Sequence, residues 1–331
     1  MKIKRVLQGY IDIGGQASRY SRALMLQGCY SESWAYDQVL KDEPIDKRLQ
    51  LDKSGMFDGR LRKFVYFLEA FRKFNVWHIH KGFTLFHNAR DLELARRAGK
   101  FIIIHYRGRE IRPTMNTHEL SPKIREKVLR EQDIANKIFV KDGQLAELIA
   151  PYVKHPIVFP NIVDVSKLKI DRFLPDDFHD ERRKLRVVHI PSNPKYKGTD
   201  LIRQAIKRIE DKIDYSEFSG LPHRELLEKY WQADVIVDQV LTGTYGNASL
   251  EAMALGRCVV NYLKKEFMLY EPEQPPIVHA APEQLTEVLA HLCENRKLVW
   301  QAGEMGKIFV DRHHSFQGVG RKLLEYYSDE E

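Results

Sequence analysis

The chain has 331 residues and a formal net charge of +7, with 43% hydrophobic, 11% aromatic and 30% charged residues. This composition excludes a disordered or fibrous protein, and the length suits two domains rather than one core. The basic excess points to an anionic partner (nucleotide, lipid head group or nucleic acid) or to plain surface charge, and the absence of RNA-binding sheet, zinc-finger and basic-zipper patterns argues against nucleic acid.

The opening stretch MKIKRVLQGYIDIGG lacks an apolar leader core and predicts a first strand over 2–7, then Gly9 and Ile13-Gly14-Gly15-Gln16-Ala17-Ser18. From Ser18 the apolar positions Tyr20, Ala23, Leu24 and Leu26 predict a helix that Gly28 ends. Paired glycines between strand and helix either let backbone approach a ligand closely or simply make a tight turn. Residues 41–56 read as a charged turn. Phe57, Leu61, Phe64, Val65, Leu68 and Phe71 then mark one face of a helix, with Arg60, Arg62, Lys63, Arg72 and Lys73 elsewhere on it. Such a helix either packs on a sheet or lies on an anionic membrane.

Strands are predicted over 76–80 and 101–106, with a helix over 88–98 between them, which implies a right-handed parallel crossover. Ligands of such sheets sit beyond the carboxyl ends of strands, where His80, His105, Arg107, Arg109 and Arg112 fall. The arginines read equally as phosphate-binding forks and as a solvated loop. His78 and His80 alternate on one strand, but the sequence offers no third ligand nearby, so no metal site is expected and His78 reads as a core or surface histidine. A helix over 124–136, a strand over 137–140, a helix over 143–150 and a strand over 157–159 complete the first half. The polar stretch 166–184, with Pro175, reads as a linker.

The second half restarts with a strand over 186–190, a loop containing Asn193 and Lys197, and a helix over 201–209. A strand over 215–218 leads through Ser219-Gly220-Leu221-Pro222-His223 into a helix over 224–230. The most informative stretch is 233–262. Val235 to Val237 form a buried strand between Asp234 and Asp238, and a loop with Gly243, Tyr245 and Gly246 follows. Asn247 and Ser249 are suited to cap a helix running to Ala254, which Gly256 ends before a strand at Cys258. A helix start facing a glycine loop favours a phosphate. A strand over 277–280 and helices over 283–294, 299–310 and 316–327 close the chain. No membrane-length apolar run occurs, and three distant cysteines, Cys29, Cys258 and Cys293, argue for a reducing, cytoplasmic setting.

GNASLEAMALGRCVV, residues 246–260, resembles the signature of the retaining, nucleotide-sugar-dependent glycosyltransferases of family four, whose fold is GT-B. The resemblance covers nearly the whole chain in order and is strongest over 186–262. It implies an α/β protein of two Rossmann-like parallel-sheet domains facing a cleft: 1–165 with the returning helix 316–331, a linker over 166–184, and a nucleotide-sugar domain over 185–315. It implies that Glu251 holds the ribose hydroxyls, that amides at Gly246, Asn247, Ala248 and Ser249 hold the diphosphate, and that Lys197 neutralises it. It places Leu221 in the loop that cradles the base, Gly14 and Gly15 beside the diphosphate and acceptor, and His105 near the transferred sugar. Arg107, Asn193, Asp238 and Tyr245 complete the expected substrate contacts.

The chain departs from the pattern at three points. Gly243 stands where the family has a glutamate eight positions before Glu251, Ser192-Asn193 where it has an arginine, and Ile162 where its domain-linking turn has glycine. The reaction implied is transfer of a sugar from a nucleoside-diphosphate sugar, with retention, to a glycan, lipid-linked or small-molecule acceptor in cell-surface polysaccharide or glycoconjugate synthesis. No cofactor or metal is expected, since protein cations and helix amides stabilise the leaving diphosphate. Peripheral contact with the inner face of an anionic membrane is a further expectation. A sugar-nucleotide 2-epimerase of the same fold, or a non-catalytic binder of nucleotide sugars or polyanions, are the alternatives.

Overall fold

The computed structural model describes residues 4–38, 44–51, 56–112, 119–164, 177–178, 180–271 and 273–328. The chain divides into two units, Met1–Ile162 with Phe316–Glu331, and Val163–Ser315. Of the linker expected over 166–184, residues 166–176 and 179 lie outside the described residues. The linker's last part belongs to the second unit, where the Arg183 guanidinium grips Asp234 with a fork of 2.6 and 2.7 Å.

In the first unit seven strands form one sheet: β1 (Arg5–Asp12), β2 (Tyr30–Gln38), β3 (Lys47–Arg48), β4 (Val76–His80), β5 (Phe101–Tyr106), β6 (Lys137–Val140) and β7 (Ile157–Val158). Their order is β3-β2-β1-β4-β5-β6-β7 and every pairing is parallel. Side chains alternate between the faces, as the two-residue period of a strand requires. Ile102, Ile104 and Tyr106 join a core with Trp77, Ile79 and Val128 of the helix Pro122–Ile134. Phe101 and Ile103 face the other way, towards Tyr20 and Leu24 of the helix Gln16–Leu26 and Val319, Leu323 and Tyr327 of the helix Phe316–Ser328. The closing helix thus packs on the first unit. Gly320 permits its approach, because a Cβ there would stand 2.6 Å from the Ala23 carbonyl oxygen.

β1 runs further than predicted, through a bulge at Tyr10/Ile11 to Asp12. The stretch expected as a turn over 41–56 contributes β3 at the sheet edge; residues 41–43 and 52–55 lie outside the described residues.

The second unit has five parallel strands: β8 (Leu185–His189), β9 (Ile213–Glu217), β10 (Val235–Val237), β11 (Cys258–Asn261) and β12 (Val278–His279), ordered β12-β11-β10-β8-β9. The helices Thr199–Lys207 and Leu285–Glu294 cover one face. His223–Gln232, Asn247–Ala254 and Arg296–His314 cover the other. In each sheet the order reverses once, between β1 and β4 and between β8 and β10, and the crevice outside such a reversal is where open α/β sheets bind ligands.

Candidate nucleotide site and a buried histidine relay

The loops after β8 and β10 meet at the reversal in the second sheet. Asn193 caps a single helical turn, Pro194–Lys197, by accepting from the Tyr196 amide at 3.3 Å. Gly198 ends the turn with φ +76°, and a Cβ there would come within 2.6 Å of Val240. The turn aims the Lys197 ammonium at Asp238, with which it forms an ion pair. Asp238 is buried at the end of β10 and also accepts from the Ser249 hydroxyl at 2.5 Å. Burial alone pushes the Asp238 carboxyl up, but the Lys197 charge and the hydrogen bonds from Lys197 and Ser249 outweigh it and hold the group below its usual value.

This geometry corrects the expected capping. The helix Asn247–Ala254 starts from Gly246, and no side chain caps it. The Ser249 hydroxyl is engaged by Asp238 instead, so the first-turn amides of Asn247, Ala248 and Ser249 are not served by a capping side chain. Asp238 is occupied by Lys197 and Ser249 and acts as their anchor. Glu251 lies one turn further along this helix and accepts from His223 Nε2 at 3.0 Å. His223 follows the loop with Leu221, which is half-buried beyond β9. The Tyr245 hydroxyl donates to Glu271 at 3.0 Å.

Gln239, which sequence reasoning missed, knits the loop after β10. Its amide nitrogen donates to the carbonyls of Thr244 and Tyr262 at 2.5 and 2.9 Å, and its oxygen accepts from the amides of Leu241 and Thr242 at 2.9 and 2.6 Å. In this turn Gly243 has φ +77°, and a Cβ would stand 2.7 Å from Lys264 Cγ. A glutamate at this position would be both strained and obstructed. His189 was likewise unread. Its Nδ1 donates to the Val237 carbonyl at 2.7 Å, so its Nε2 accepts from the Thr199 hydroxyl at 2.8 Å and fastens β8 to β10.

In the first unit Gly14 and Gly15 follow β1 with φ of 58° and 72°, and Asp12 accepts from the Ala17 amide at 2.9 Å. The three arginines beyond β5 separate. Arg109 is exposed, Arg112 bonds Gln144, and Arg107 is turned inward. The Arg107 guanidinium donates to Asn161 at 2.7 Å and to His80 Nδ1 at 3.1 Å, and lies 5.0 Å over the Tyr20 ring.

His105, which the sequence places at the end of its strand without bringing it to His78 and His80, is the third histidine here. The pairing of β4 with β5 puts it in register with His80, and the ligand nitrogens of His78, His80 and His105 lie within 4.8 Å of one another. All three rings are buried. Burial, and then the Arg107 charge, hold each well below the usual histidine range, so all are neutral near pH 7.

Arg107 can only donate, and from it the hydrogen-bond roles follow in one direction. His80 accepts at Nδ1 and donates from Nε2 to the Gln8 oxygen at 3.0 Å. The Gln8 amide donates to the Tyr327 hydroxyl at 3.1 Å, and that hydroxyl donates to His78 Nδ1 at 2.8 Å. His78 Nε2 then donates to His105 Nδ1 at 3.1 Å. This leaves the His105 proton on Nε2, a buried atom with no hydrogen-bond partner. The nitrogens of His78 and His80 are used by the relay and the rings lie within 29° of parallel, which describes a proton-ordered chain rather than lone pairs converging on an ion.

No protein-family model matches the chain, and no curated protein matches it. Solved structures do match along its full length. A glycosyltransferase from Rickettsia africae superposes with a TM-score of 0.69 at 13% identity, covering 99% of each chain. Anabaena Alr3699/HepE in complex with UDP gives 0.64 at 13% identity, covering 99% of this chain and 100% of that one. A UDP-N-acetylglucosamine 2-epimerase gives 0.53 at 14%, covering 100% and 98%. The fold is therefore GT-B, two parallel-sheet α/β units.

Proposed function

We propose that this protein is a glycosyltransferase that uses a nucleoside-diphosphate sugar and retains its anomeric configuration. The observation that carries the reading is the grouping at the reversal of the second sheet: Lys197 anchored by Asp238, Asp238 bonded to Ser249, and Ser249 in the uncapped first turn of the helix that bears Glu251. In this reading the amides at Gly246, Asn247, Ala248 and Ser249 and the Lys197 ammonium receive the diphosphate. There they stabilise the charge that grows on it as the glycosidic bond to the sugar breaks. Glu251 accepts from the ribose hydroxyls, and Leu221, Asn193 and Tyr245 border the nucleotide. HepE bound to UDP supports a uridine nucleotide as the first donor to test.

We assign acceptor recognition to the first unit, around Gly14 and Gly15. His105 and Arg107 are held inside the relay, so in this reading they position the groups around them. A glycan or lipid-linked acceptor in polysaccharide or glycoconjugate synthesis fits a further feature. On the helix Met56–Lys73, Leu61, Phe64 and Val65 are about half exposed beside Arg60 and Arg72, a pattern suited to the anionic inner face of a membrane. Among the described residues no helix is long and apolar enough to cross a membrane.

The likeness to a 2-epimerase supports a second reading, in which the same site isomerises the donor. Incubation with a panel of nucleotide sugars, with and without acceptors, separates the two. Release of nucleoside diphosphate with sugar transfer or hydrolysis supports the transferase, and an isomerised donor supports the epimerase. Tight binding with no turnover would reduce the protein to a nucleotide-sugar binder.

A further inference from the structure

Glu251 is already engaged before any ligand arrives. Its side chain is 15% exposed, while that of His223, whose Nε2 lies 3.0 Å from Oε1, is 53% exposed. The two residues are 28 apart in sequence and come from different helices, His223 from the first turn of His223–Gln232 and Glu251 from Asn247–Ala254. A carboxylate can only accept, so Nε2 carries the proton in this pair. An exposed ion pair of this kind adds little to stability. Its effect is on geometry. It ties the loop beyond β9, with Leu221, to the helix whose start is read as the diphosphate site, and it fixes the carboxylate's rotation. The Oε2 atom and the second lone pair of Oε1 remain for two further donors, which matches the vicinal hydroxyls of a ribose.

Resting on the reading of this site as a nucleotide site, we propose that His223 is a nucleotide-positioning residue: its Nε2–H holds one oxygen of Glu251 so that the carboxylate meets the ribose diol of a nucleoside diphosphate. Protonation of His223 strengthens its hold on Glu251 and adds positive charge beside an anionic ligand. Both effects make binding tighter when His223 carries its second proton than when it does not. The other charged groups of its own helix near it are Arg224, Glu225 and Glu228, with Arg224 paired to Glu228 at 4.0 Å. On the facing helix Glu251 is the charged residue.

The test is calorimetric titration of UDP, GDP and ADP into the full chain between about pH 5.5 and pH 8.5. The tightest of the three is then titrated into His223→Ala, His223→Gln, Glu251→Gln and the double variant His223→Ala/Glu251→Gln. His223→Ala is expected to weaken binding by about threefold to tenfold, the range of one ordinary hydrogen bond, because the pair is partly open to solvent. His223→Gln keeps a donor near the place of Nε2 and is expected to recover affinity while losing the part of the pH dependence that belongs to the imidazole, which separates it from titration of the diphosphate itself. In the Glu251→Gln background His223→Ala is expected to cost nothing further. Wild-type affinity and pH profile in His223→Ala, or an equal loss with and without Glu251, would overturn the role of His223 and leave the nucleotide site standing. If none of the three nucleotides binds the wild-type chain, the site itself falls and this proposal with it.

Discussion

Lys197 and Asp238, 41 residues apart, form an ion pair at the point where the order of the second sheet reverses, with Asp238 buried and Lys197 partly open to solvent. The pairing gives the lysine one direction and makes the aspartate depend on it. Removing one partner of such a pair leaves an uncompensated buried charge, which is costlier than the pair itself is stabilising.

Lys197→Ala is accordingly expected to destabilise the protein by about 3 kcal/mol, while Asp238→Asn with Lys197→Met together cost less than the single lysine change. Because the folded Asp238 carboxyl lies below its ordinary value of 3.8, its contribution is present above that value and is lost as the pH falls through the lower, folded one. Denaturant unfolding of the single and double variants at neutral and acid pH measures both effects.

Glu251→Gln keeps the shape of the side chain and removes its charge. It is expected to weaken use of a nucleotide-sugar donor by about 1–3 kcal/mol in kcat/KM with little change in stability. Steady-state kinetics and a melting curve on the same preparation separate the two.

Glu131 in the first unit titrates in the opposite sense to Asp238. Burial raises its carboxyl from 4.5 to about 7, against the opposing pull of Lys127 and the Tyr106 hydroxyl. A raised folded value means stability that is full below about 4.5 and is lost as the pH climbs through 7, a loss on the order of 3 kcal/mol. Asp91, raised to about 6 by burial, acts in the same direction. Glu131→Gln is expected to flatten the decline between pH 5 and pH 8, leaving the share of Asp91. Unfolding free energies at the two pH values check it, and an unchanged slope would contradict the assignment.

Tyr327→Phe removes the hydroxyl that accepts from the Gln8 amide and donates to His78 Nδ1. It is expected to cost about 1–3 kcal/mol, because both partners are then buried without a substitute. Gly243→Glu, which introduces the side chain that the resembled glycosyltransferase signature carries at this position, is expected to lower stability by about 1–3 kcal/mol without raising activity, given the positive φ and the Lys264 side chain in its way.

The architecture was legible where apolar runs are unbroken. The strands Phe101–Tyr106, Lys137–Val140 and Val235–Val237 and the helix Asn247–Ala254 have the bounds that the sequence predicts. β2 was not read, since Ser31 and Ser33 hold buried positions that a hydrophobic pattern would fill with valine or isoleucine. The glycine break after Lys197 and the helix that bears Glu251 were legible because each is a contiguous stretch. What joins those parts was not. The Lys197–Asp238 pair, the His223–Glu251 pair and the third histidine of the relay depend on strand register and loop packing, and residues 27 to 41 positions apart carry no local signal of meeting.

The most direct measurement of the central claim is nucleoside-diphosphate binding to the wild-type chain, Lys197→Ala and Glu251→Gln, each first shown to be folded. Saturable binding of one nucleotide to the wild type, weakened by about tenfold or more in both variants, is the result expected when a charged hydrogen-bond partner is lost. Failure of every nucleoside diphosphate to bind the wild type, or equal affinity in all three proteins, would contradict it.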